Sequence, residues 1–176
     1  MFKPVRVALR SVDSSDLTRF KKWDRDPEVT EFLGPVFDRH DGVHKWYQRV
    51  LRDPCSQIRS VTTRSGHLIG YLLLENISWR SGSGELKICL GEKLVWNRGY
   101  GTDAVRALAS LAHSWGLNEI LVRVQRRHHA AIRCYLKAGF RRVGILRGGR
   151  VHSREEMLLM RCRLPVREVI SRSRGA

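Results

Sequence analysis

The chain has 176 residues, 42% hydrophobic and 28% charged, and 33 Lys plus Arg against 17 Asp plus Glu give a formal net charge of +16. This length favours a single domain, because a chain of roughly 150 residues already buries about 70% of its unfolded surface in one core. No run of about 18 apolar residues is present and Met1–Leu9 carries no hydrophobic signal stretch, which argues against a membrane span and a secretory leader. The four cysteines, Cys55, Cys89, Cys134 and Cys162, lie far apart and lack zinc-knuckle spacing. They read as reduced thiols of a cytoplasmic protein.

In chain order, Val5–Val12 alternates as a first strand, and Asp13, Ser14 and Ser15 offer N-cap oxygens to a helix through Leu17, Phe20 and Trp23. Asp26-Pro27 interrupts that helix. A second helix over Gly42–Leu51 carries Val43, Trp46, Tyr47, Val50 and Leu51 on one side and closes at Asp53-Pro54. Strands follow at Ile58–Thr63 and Leu68–Ile77, joined by a glycine-containing hairpin, and then at Glu85–Leu90. From Thr102 the period becomes helical, with Val105, Leu108, Ala109, Leu111, Ala112 and Trp115 recurring until Gly116. Ile120–Val124 reads as a strand, His129–Ala138 as a helix, and Phe140–Leu146 and Met157–Leu164 as a closing pair of strands. Antiparallel runs followed by one strand–helix–strand unit imply an α/β fold with a mixed sheet and helices on its faces.

The charge draws polyanions: nucleic acid, ribosomes or a nucleotide cofactor. It is also uneven, with ten basic residues and one acidic residue between Glu119 and Arg154. A solvated, arginine-biased surface explains the same composition. His40, His44, His113 and His152 show no ligand spacing with cysteines or carboxylates, so metal binding is not expected.

The segment Trp96-Asn97-Arg98-Gly99-Tyr100-Gly101-Thr102 is a glycine-rich turn between a strand and a helix. Amides at a helix N-terminus lack partners, glycines let the main chain approach a diphosphate closely, and Arg98 adds charge. An ordinary tight turn would contain the same glycines. About 30 residues later comes His128-His129-Ala130-Ala131-Ile132-Arg133-Cys134-Tyr135-Leu136-Lys137-Ala138-Gly139-Phe140. Together the two segments resemble the GNAT superfamily of acyl-CoA N-acyltransferases. Leu9-Arg10 and Trp23-Asp24-Arg25-Asp26-Pro27-Glu28-Val29 resemble the opening of its ribosomal-protein N-terminal acetyltransferase branch, RimJ/RimL-like. Asn97 stands for the branch's usual Gly, Arg98 for its Lys, and His128 for the family's Asn.

The resemblance implies one GNAT-like domain over residues 1–164, a mostly antiparallel central sheet with helices on both faces, and a basic tail at 165–176. It implies acetyl-CoA as cosubstrate in the V between two splayed parallel strands, no metal, and direct attack by an acceptor amine in a ternary complex. Backbone amides of Arg98, Gly99, Tyr100, Gly101 and Thr102 would bind the diphosphate, and main-chain groups near Cys89 and Leu90 would pair with pantetheine. His128, in the position of an Asn that holds the pantetheine arm, would give weaker or reorganised binding there. Tyr135 matches the tyrosine that protonates the departing thiolate, or else packs on the sheet. Glu85 matches a carboxylate that accepts the amine's proton, or else is a surface glutamate. Cys134, beside Tyr135, has no paired base and reads as packing. Asp24, Asp26, Glu28 and Glu31 form an acidic wall of the acceptor site, or a solvated helix face.

The acceptor is a primary amine, either a protein N-terminus or a small molecule, and the positive surface tilts toward a ribosome-associated protein. A different class, a non-catalytic module of the same fold that binds RNA or the ribosome, would account for the charge and for His128. Either reading allows a monomer or a homodimer, away from membranes.

Overall fold

Strand alternation and helical period sort the chain into seven strands and five helices among the residues that the computed structural model describes, 6–34, 36–37, 42–146 and 156–165. The strands are β1 Val7–Arg10, β2 Gln57–Thr63, β3 Leu68–Ser78, β4 Ser83–Leu90, β5 Glu119–Gln125, β6 Arg141–Leu146 and β7 Met157–Arg163. The helices are α1 Asp16–Asp24, α2 Pro27–Thr30, α3 Gly42–Arg52, α4 Tyr100–Ser114 and α5 His129–Lys137. The sheet runs β1-β2-β3-β4-β5-β7-β6, antiparallel everywhere except between β4 and β5. The expected mixed sheet is present. His40, His152 and the tail beyond Pro165 lie outside the described residues.

Local chemistry sets the helix boundaries and departs from expectation in three places. Ser15 stands at the N-cap of α1, yet its side chain makes no capping bond; the Asp13 carboxylate accepts the Ser15 amide at 2.9 Å instead. After the break at Asp26-Pro27 the chain restarts as the one-turn α2. Asp26 caps it by accepting the Glu28 amide at 3.0 Å, with Pro27 at its start. Helix α4 begins at Tyr100 rather than Thr102, because Gly99 takes φ +88° and turns the chain into the helix.

Alternation along the strands splits the apolar side chains between two layers. Leu72, Leu74, Leu86, Ile120, Val122 and Met160 point to the face covered by α4 and α5. Ile58, Tyr71, Leu73 and Cys89 point to the opposite face, against Leu17, Phe20 and Trp23 of α1 and Val43 and Trp46 of α3. Each fully buried Leu or Ile contributes roughly 1.5–3 kcal/mol. Among the described residues the second layer stops at β4. Beyond it, β5 and β7 place Glu119, Arg123 and Arg161 on the same face.

A buried carboxylate joins β1, α1 and β2. Asp16 is 4% exposed and accepts Arg10 at 2.6 and 2.7 Å, Ser60 Oγ at 2.6 Å and the Asp13 amide at 2.9 Å. Burial works to raise its pKa, but the hydrogen bonds from Arg10, Ser60 and Asp13 outweigh it and hold the carboxyl below its usual range.

Candidate active site

Among the described residues the only parallel pair in the sheet is short. Ser83, Gly84 and Glu85 of β4 pair with Glu119, Ile120 and Leu121 of β5, and the strands then part. The gap opens into a cleft of about 970 Å³ lined by Leu86–Leu90, by Val124 and Gln125, and by the first turns of α4 and α5. Gly91 N donates to Ile69 O at 3.0 Å, directly opposite it across the β3–β4 ladder. Because paired and unpaired positions alternate in such a ladder, the main chain of Cys89 faces β3 and that of Ile88 and Leu90 faces the cleft. Of the two positions expected to meet pantetheine, Leu90 therefore faces the opening, with its carbonyl already bonded to Trp96 Nε1 at 2.7 Å. Cys89 does not face it with its main chain. Its side chain lies in the α1–α3 layer, where burial pushes the thiol up to about 12. Ile88 was missed, although strand alternation points to it.

The glycine turn closes one end of the cleft. Asp103 N makes the first intrahelical bond of α4, to Gly99 O at 3.1 Å, so the amides of Tyr100, Gly101 and Thr102 project from the helix start. Gly99, Gly101 and Thr102 line the cleft, whereas Arg98 and Tyr100 flank it. A Cβ on Gly101 would stand 3.2 Å from Cys134 Sγ, so α4 and α5 meet closely here. Arg6, ahead of β1, donates to the Arg98 carbonyl and places Nε 3.8 Å from Asp103 Oδ2. It thereby ties the turn to the sheet edge.

Tyr135 lies on α5 with its ring buried against Phe140, at 5.5 Å between centroids, and lines the cleft. Its hydroxyl makes no hydrogen bond among the described residues, and burial pushes its pKa upward. It is a protonated donor throughout the neutral range. Glu85 lies elsewhere: Arg123 grips it with two donors, Nε at 2.7 Å and Nη2, and Glu85 is absent from the cleft lining. That contact spans 38 residues and depends on the β4–β5 register, so no local signal reveals it.

His128 makes a contact that its motif position does not announce. It stands at the N-cap of α5 without a side-chain capping bond, and its ring stacks on Phe32 at 3.9 Å and 10°. Burial, and then the neighbouring His129, lower its pKa to about 4, so the ring is neutral. Phe32 was missed, since it lies in a segment with no period to read.

The acidic stretch is largely spent on the protein itself. Asp24 accepts the Val36 amide at 2.6 Å, and Asp26 and Glu28 share Lys93. Glu31 lines the cleft and makes no ion pair among the described residues. No cluster of three metal-binding side chains occurs among the described residues.

The sequence matches the acetyltransferase (GNAT) domain over residues 6–141. The chain belongs to that family. As a GNAT member it is an acetyl-CoA-dependent N-acetyltransferase. No curated protein matches the sequence. Among solved structures, it is similar to a spermidine N-acetyltransferase from Vibrio cholerae in complex with CoA and spermine. The two share 17% identity and a TM-score of 0.79 over 89% of this chain and 95% of that one. It is also similar to AAC(6')-Ib in complex with ribostamycin and coenzyme A, at 22% identity and a TM-score of 0.74 over 97% and 99% of the two chains. At such identities the likeness is one of fold. Neither neighbour is a ribosomal-protein acetyltransferase, so the family assignment is broader than the branch its opening residues resemble.

Proposed function

We propose that this GNAT domain acetylates a primary amine carrying a single positive charge, with a protein N-terminus near the ribosome as the preferred acceptor. The projecting amides of Tyr100, Gly101 and Thr102 suit the diphosphate of acetyl-CoA, and the main chain of Ile88 and Leu90 suits its pantetheine arm. The neutral amine attacks the thioester carbonyl; its nitrogen–carbon bond forms as the carbon–sulfur bond breaks. Tyr135 gives its hydroxyl proton to the departing thiolate and recovers one from solvent. The amine's proton leaves through water, because Arg123 occupies the carboxylate of Glu85.

The observation that carries the choice of acceptor is the pairing of carboxylates around the cleft. Glu75 holds Lys87 at 2.7 Å, Glu85 holds Arg123, and Asp26 and Glu28 share Lys93. Seven Lys or Arg and three Asp or Glu line the cleft, a field that opposes a polycation. The overall charge of +16 draws the enzyme to the phosphate of a ribosome.

A second reading, a polyamine or aminoglycoside acceptor, has Glu31 in its favour, together with the substrates bound in the two fold neighbours. Release of CoA thiol, measured with N-terminal peptides, spermidine and an aminoglycoside, separates the two. We expect kcat/KM at least about tenfold higher for a peptide. The reverse order would select the polycation. Failure with every amine, together with salt-sensitive RNA binding, would favour the non-catalytic module.

A further inference from the structure

The two lips of the cleft meet at Phe32. The segment following α2 comes from the α1–α3 side of the sheet, and Phe32 reaches from it to the opposite lip, where β5 ends and α5 begins. Three contacts hold it there, and a fourth braces two of their partners. The Phe32 ring lies on the His128 ring at 3.9 Å and nearly parallel; the Arg127 guanidinium stands 5.4 Å from the Phe32 ring centre; Gln125 Nε2 donates to the Phe32 carbonyl at 3.2 Å; and Gln125 Oε1 accepts from Arg127 Nε at 3.0 Å. Both hydrogen-bonding ends of one glutamine side chain are thus committed to the bridge. Phe32, Gln125, Arg127 and His128 all line the cleft that Tyr135 also lines.

From this arrangement we infer that Phe32 and His128 form an aromatic latch across the acceptor end of the cleft, and that Phe32 determines which amines reach the thioester. The inference rests on the amine-transfer reading above. Phe32 is delivered from the α1–α3 side, where the apolar cover among the described residues ends at β4. An amine arriving from that side passes the latch before it reaches Tyr135, which lines the same cleft. An aromatic pair biases its closed state by roughly two- to tenfold, enough to discriminate by width and weak enough to open in turnover. His128 serves here as a flat surface rather than as a hydrogen-bond donor, which distinguishes the latch from a role on the pantetheine arm.

The test uses the full chain with two peptides identical except for the first residue, Ser or Phe, and acetyl-CoA binding measured in parallel. The latch predicts that Phe32→Ala raises kcat/KM for the Phe peptide relative to the Ser peptide by at least about tenfold, with acetyl-CoA affinity within about threefold of wild type. His128→Phe, which keeps a stacking ring, retains the wild-type preference, whereas His128→Asn, which removes the ring and restores an amide, relaxes it. NMR titration of His128 in Phe32→Ala should move its pKa from about 4 toward the ordinary 6.5 as the ring loses its cover. An unchanged preference in Phe32→Ala with an active wild type would overturn the latch alone. Loss of acetyl-CoA affinity in His128→Phe and its recovery in His128→Asn would assign His128 to pantetheine and also overturn the latch. A wild type inert toward every amine would overturn the transfer reading, and the latch with it.

Discussion

At the α4 end of the cleft the main-chain amides of Tyr100, Gly101 and Thr102 are unspent among the described residues, whereas on β3, β4 and β5 Glu75, Glu85 and Glu119 are already matched with Lys87, Arg123 and Arg161. The first region is built from backbone geometry that is available before any ligand arrives. The second is built from side chains that satisfy one another across strands. A site of the first kind recognises one constant ligand, and a site of the second kind is free to change its acceptor without disturbing the cosubstrate. This contrast separates what every member of such a family shares from what each must specify for itself.

The largest effect falls on the backbone site. Gly99→Val places a β-branched residue at φ +88° with its Cβ 2.6 Å from Arg6 Nη1, and should reduce acetyl-CoA affinity by more than about 100-fold. The strain of roughly 1–3 kcal/mol is smaller than the usual stability of a domain, so circular dichroism should report a folded chain. Unchanged affinity would remove the turn from the cosubstrate site. Next, Tyr135→Phe should lower kcat by about 100-fold with acetyl-CoA affinity nearly constant, and an equal kcat would leave the residue as packing against Phe140.

The paired side should respond through stability instead. Asp16→Asn removes the charge and one of the two oxygens that accept from Arg10, Ser60 and Asp13, and should cost about 2 kcal/mol in urea unfolding, less than a fully buried pair because Arg10 is partly exposed. Because the Asp16 pKa is depressed in the folded state, its contribution is complete above the unfolded value near 4 and fades as pH falls below it. The variant should therefore show a flatter loss of stability in acid than wild type; equal slopes would place the acid sensitivity elsewhere. The smallest effect belongs to Glu85→Gln. Held by Arg123 away from the cleft, it should alter kcat by less than about fivefold, and a 100-fold loss would restore it as the proton acceptor.

The same division governs what the sequence discloses. Val105, Leu108, Ala109 and Ala112 repeat at helical spacing and became the buried face of α4, and the glycine turn stands where its pattern placed it. These features are local, carried by period and by residues that alter backbone freedom. The surroundings of Glu85 and His128 depend on partners 38 and 96 residues away, so their residue types suggested chemistry but not the Arg123 and Phe32 contacts that they make. Phe32 gave no signal because a single aromatic in a connecting segment has neither period nor motif. Cys89 and Ile88 differ by one step along a strand, and only the ladder register decides which main chain faces the opening.

The central claim is that the β4–β5 cleft and the turn at Gly99 bind acetyl-CoA specifically rather than through the general positive charge. Isothermal titration of the full chain with acetyl-CoA across a salt series tests it most directly. The account predicts one site per chain, micromolar affinity, and a salt dependence shallow enough for binding to persist at about 0.5 M salt, roughly five times the ionic strength at which the Debye length is about 10 Å. Absence of binding, or heat that disappears with salt in step with that of an unrelated polyphosphate, would contradict it.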